Sequence, residues 1–138
     1  MDMQNAFQSL NWLAIFVAAV SAFALGGLWY SPLMFLKIWA REASIDLDPA
    51  KRGSMGKIFG LSFLLSFTAA FFLAMFIGPD QSASFGALAG FMAGLGWVFT
   101  YMGIIFLFES RSLAHFLINA CYSVVSLTIM GFIIGIWQ

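Results

Sequence analysis

The chain has 138 residues, no net charge and a mean hydropathy of +0.96. Hydrophobic residues make up 62% and charged ones 9%, against about a quarter charged in a soluble domain. This composition excludes an ordinary water-soluble core and gives no electrostatic pull toward nucleic acid, so lipid is the expected solvent.

The first apolar run covers about residues 12–30 and opens "NWLAIFVAAV". Ala22-Phe23-Ala24 has the look of a signal-peptide cleavage site. No Lys or Arg precedes it, so the run is expected to be a retained spanning helix. The next segment, "SPLMFLKIWARE", predicts a short interfacial helix over about residues 32–42, with Ser31 as its cap and Pro32 in its first turn. Phe35, Leu36, Trp39 and Ala40 fall on one face of it, with Lys37 and Arg41 opposite. Asp48-Pro49 is a second helix-start signal. Three more apolar runs follow, at about 57–77, 85–108 and 113–137. Each is about 20 residues or longer and is continuous rather than alternating, which favours spanning helices over barrel strands. The expected fold is all-α. It is one polytopic membrane domain over 1–138 with four transmembrane helices and an interfacial helix between the first two.

All six Lys and Arg lie in or beside the first and third connections. The positive-inside rule then puts those connections in the cytoplasm and both termini on the extracytoplasmic side. Small residues recur every four positions on each span. They include Gly86, Gly90 and Gly94 on the third, and Gly131 and Gly135 on the fourth. Such stripes let backbones approach in lipid, either within one bundle or between copies in a homo-oligomer. Phe23-x-x-Gly26-x-x-Trp29 echoes Phe91-x-x-Gly94-x-x-Trp97, a faint sign of an internal repeat.

The chemistry-bearing feature is a polar stripe in the last span. His115, Asn119, Tyr122 and Ser126 are spaced for one helix face. Asn119 lies roughly 9 Å from the start of that span. Trp29, Tyr30, Ser62, Ser66, Trp97, Thr100 and Tyr101 fall at similar depth on the other three. The stripe is either a clasp between helices or the wall of a cytoplasm-facing cavity for a small solute or lipid headgroup. One His and one Cys give no metal set, and no glycine-rich phosphate loop is present. No cofactor or enzymatic activity is expected. Cys121 reads as a packing thiol.

"NWLAIFVAAVSAFALGGLWYSPLMFLKIW" and "LINACYSVVSLTIMGFIIGIW" together resemble a bacterial family known as domain of unknown function 1761. The resemblance rests on Asn11-Trp12, Trp29-Tyr30-Ser31-Pro32, Trp39, Asn119, Tyr122 and Gly131. It implies a small four-helix inner-membrane protein and lends no catalytic residue. The resulting expectation is a self-associating transporter, channel or solute-binding protein. The alternative is an accessory subunit that docks on other membrane proteins through its small-residue faces.

Overall fold

The computed structural model describes residues 2–138 and is all-helical. The elements are α1 (Met3–Gln8), α2 (Trp12–Trp29), α3 (Leu36–Glu42), α4 (Met55–Ile77), α5 (Ala83–Ala93), α6 (Thr100–Phe108) and α7 (Leu113–Ile136). A π-helical turn, Gly94–Phe99, joins α5 to α6 in one continuous span, Ala83–Phe108. Four helices are therefore long and apolar enough to cross a membrane. They run alternately up and down. One end of the bundle carries α3 and the Glu109–Ser112 hairpin; the other carries α1, the Gly78–Ser82 loop and the C-terminus.

Local chemistry explains the helix starts. Asn11, Ser54, Ser82 and Ser112 each accept a backbone N–H of the following first turn. Gly78 ends α4 at φ 77°, and Ser110 turns the last hairpin at φ 54°. The start of α3 differs from the expectation. Ser31 does not cap a helix at Pro32; its hydroxyl bonds back to the Leu28 carbonyl at the end of α2, 2.6 Å away. The chain turns through residues 32–35, and α3 begins at Leu36 without a side-chain cap. Asp48-Pro49 opens only a single 3₁₀ turn, Pro49–Lys51. The sequence reading also passed over α1. Its signal was Asp2, whose carboxylate accepts the Gln4 N–H.

α7 is the hub, packed against α2, α3, α4, α5 and the π turn. Its tightest contact is with α5. A methyl group added to Gly86 would lie 2.1 Å from the Gly131 carbonyl oxygen, and one on Gly90 would lie 1.9 Å from that of Leu127. In the reverse direction, a methyl on Gly131 would meet the Gly86 carbonyl oxygen, and one on Gly135 that of Ser82. The glycine ridge is thus consumed inside the chain. Of the two readings of the stripe, this geometry is the contact within one bundle, with α7 lying on the ridge.

Beyond Gly94 the spacing changes. The side that meets α7 steps by five to Phe99 and by four to Gly103, both against Phe116. The π turn inserts that extra residue. The Thr100 hydroxyl donates to the Gly96 and Trp97 carbonyls within it, at 2.8 and 3.0 Å, the usual way a loosened turn is satisfied in lipid. Three rings, Phe99, Phe106 and Phe116, then wedge α6 away from α7. The pair is closed at its glycine end and open at its hairpin end.

The buried core sits toward the α1 end. Ile15, Ala18, Ala19 and Ala22 of α2 meet Ala70, Leu73, Ala74 and Ile77 of α4, with Met130 and Ile134 of α7. Small residues dominate, so dispersion across close backbones carries the association.

These contacts predict a sharp asymmetry among glycines. Gly90→Ala should overpack the α5–α7 contact and lower stability in detergent by about 1–3 kcal/mol. Gly60→Ala, with nothing within 4 Å of the new methyl, should cost nothing. Thermal unfolding followed by circular dichroism measures both, and equal effects would remove the argument.

Candidate functional site

The site grows from the end of α2. Trp29 and Tyr30 leave that helix facing α7. The Trp29 indole Nε1 donates to the Ile118 carbonyl at 3.0 Å. The Tyr30 hydroxyl donates to Asn119 Oδ1 at 2.7 Å. In return the Tyr122 hydroxyl donates to the Ala22 carbonyl on α2 at 2.8 Å. Each helix therefore sends a side chain to a backbone carbonyl of the other, and an amide–phenol bond lies between. Gly26 makes room, because a methyl there would stand 3.2 Å from the Tyr122 oxygen.

α3 covers this arrangement. Trp39 packs on Tyr30 at 4.9 Å between ring centroids, and Phe35 packs on Trp29 at 5.0 Å. Ala40 is buried, whereas Lys37 and Arg41 face outward. The Arg52 guanidinium lies over the outer face of Trp39, 5.8 Å from its centroid, a cation–π contact. Glu42, at the end of α3, stands beside Ser112. The nearby Ser112 hydroxyl, then the Arg41 guanidinium, holds its carboxyl below the usual range. Asp46 is lowered in the same way by the Asp48 backbone N–H and by Lys51.

The structure divides the expected residues. Trp29, Tyr30, Asn119 and Tyr122 come together, with Ser126 buried next to the Tyr122 hydroxyl. His115 is 6% exposed, and its ring packs edge-on to Phe106 at 4.7 Å. Its Nδ1 is buried and makes no hydrogen bond among the described residues. Five residues lie elsewhere. Ser66 bonds the Ser62 carbonyl on its own helix, and Ser62 is exposed. Thr100 serves the π turn. Trp97 and Tyr101 are 58% and 67% exposed. Equal depth did not become contact, because α4, the π turn and α6 turn these side chains away from the Tyr30–Asn119 bond. The two matching tryptophans have different partners: Trp29 bonds α7, while Trp97 meets Phe76 edge-on at the surface. Cys121 is half-buried.

Sequence reasoning missed the carbonyls of Ile118 and Ala22, since a backbone acceptor leaves no trace in residue type. It also missed Glu42 beside Ser112. At the opposite end Asn11 has two roles: it caps α2, and its Nδ2 donates to the Trp137 carbonyl at 2.9 Å. A cavity of about 40 Å³ lies there, lined by Ser9, Asn11, Gly78 and Trp137 among others.

The site makes no acid–base pair, and no group of three His, Cys, Asp or Glu among the described residues is placed to hold a metal. It defines a class: a helical protein with four helices fit to span a membrane, two of them locked by reciprocal side-chain-to-carbonyl bonds. The sequence matches "Protein of unknown function (DUF1761)" over residues 13–135, and the chain belongs to that family. No curated protein and no solved structure matches it.

Interhelical hydrogen bonds in membranes average about 0.6 kcal/mol. Tyr30→Phe leaves the Asn119 amide oxygen without its donor and should cost about that much or more. Asn119→Leu leaves the phenol without its acceptor and should cost about 1–3 kcal/mol. Thermal unfolding in mild detergent gives both numbers, and an Asn119→Leu protein as stable as the parent would dissolve the clasp.

Proposed function

We propose that the chain is a non-enzymatic integral membrane protein that serves as a docking subunit, with the polar cluster as its internal clasp. The observation that carries this reading is the Tyr30–Asn119 bond. The amide oxygen that would have faced a solute is satisfied within the chain. Neither the 40 Å³ cavity nor a groove of about 250 Å³ between α6 and α7 is lined by Asn119. A transporter or channel needs an open polar route at that depth, so this reading has the weaker support.

The surface fits docking. α6 has no buried residue. The buried residues of α4, namely Ala70, Leu73, Ala74 and Ile77, all lie in its second half. The sides of α4's first half and of α6 turned away from α2 and α7 are left for lipid or for another spanning helix. A second copy of this chain is the simplest partner. The membrane is the bacterial inner membrane, with α3 and the Glu109–Ser112 hairpin in the cytoplasm, where all six Lys and Arg would lie.

Two experiments test this. In a Cys121→Ala background, Met3→Cys and Gln81→Cys should react with an impermeant thiol reagent added outside spheroplasts, and Ala50→Cys should not. Labelling of position 50 alone reverses the orientation. For the role itself, Asn119→Leu should lose thermal stability as its main defect, and photo-crosslinkers at Leu65 or Ile105 should capture a spanning helix. An Asn119→Leu protein that keeps its melting temperature but loses solute flux in liposomes would return the site to transport.

A further inference from the structure

The groove between α6 and α7 is a consequence of the wedge described above. Gly103, Phe106 and Leu107 form one wall, and Leu113 and Phe116 the other. Its volume is about 250 Å³. It opens sideways between two spanning helices, beside residues that point fully outward; Leu107 is 80% and Phe108 89% exposed. Water has no polar partners along such walls, so at membrane depth a hydrocarbon chain is the filling the solvent supplies.

Arg111 stands at the mouth. Glu109 engages only its Nε, in an exposed pair of the kind that contributes little. The terminal guanidinium nitrogens make no hydrogen bond among the described residues. Ser112, also at the mouth, is occupied: it accepts the His115 N–H and faces Glu42. Arg111 thus keeps donor capacity at the mouth, and its forked geometry suits a phosphate. The remaining cations sit at the same end of the bundle, while Asp2 and Asp80 lie at the other.

We propose that the α6–α7 groove seats one acyl chain of an anionic phospholipid, with the lipid phosphate held by the terminal nitrogens of Arg111. The docking role does not depend on this site.

The full chain, purified in mild detergent, is titrated with phosphatidylglycerol and with phosphatidylcholine, and bound lipid is counted by native mass spectrometry. One phosphatidylglycerol should bind, about fivefold in preference to phosphatidylcholine, the ratio expected for one cation near the headgroups. Arg111→Gln should bring the ratio to about one. Lys57→Gln, at the same end but away from the groove, should leave it unchanged. Gly103→Leu fills the trough and should weaken both lipids alike. Leu107→Trp replaces it if that variant does not fold, since Leu107 lines the same wall and is largely exposed. Excess inorganic phosphate should not displace the lipid. The proposal is overturned if Arg111→Gln keeps the preference, if Lys57→Gln lowers it equally, if the filled trough binds normally, or if phosphate alone competes.

Discussion

The rest of the structure depends on the direct approach of two backbones. Between α5 and α7 no side chain intervenes at Gly86, Gly90 and Gly131, and carbonyl oxygens occupy the space a methyl group would need. Lipid tails are as apolar as the helices, so this association draws little on the hydrophobic effect. It draws on dispersion at short range, which only small residues allow. Once α7 is fixed against α5, it becomes the post against which α2, α3 and α4 are placed.

The second fastening differs in kind. α2 and α7 exchange hydrogen bonds from Trp29 and Tyr122 to each other's carbonyls, and Tyr30 meets Asn119 between them. Each bond is modest, but together they fix rotation and axial register, which apolar faces leave loose. α3 then has a surface to lie on, because Tyr30 and Trp29 offer rings to Trp39 and Phe35. The amphipathic pattern of α3 meets aromatic side chains of the bundle on its apolar side.

The π turn ties the two halves together. Without its extra residue the glycine stripe would continue past Gly94 on the same four-residue step. With it, Phe99 and Gly103 face Phe116. The helix pair changes from backbone contact to ring-separated contact within two turns. The groove beside Arg111 follows from that change, as does the exposure of α6.

Hydropathy and charge are local properties, and the sequence alone determined what depends on them. The four spans, the polar loop carrying α3 and the segregation of Lys and Arg were all legible. So was the face shared by His115, Asn119 and Tyr122, because helical periodicity is a property of one segment. Tertiary structure decided which segments meet. It gave the Gly86–Gly90–Gly94 ridge to α7, kept Tyr30 for Asn119, and left Ser62, Ser66, Thr100 and Tyr101 outside. It also chose the carbonyls of Ala22 and Ile118 as acceptors. Such choices rest on helix rotation and register to within about an ångström, and on acceptors that every residue carries. A residue pattern marks a face as small or polar, but only the packed bundle determines which neighbour faces it.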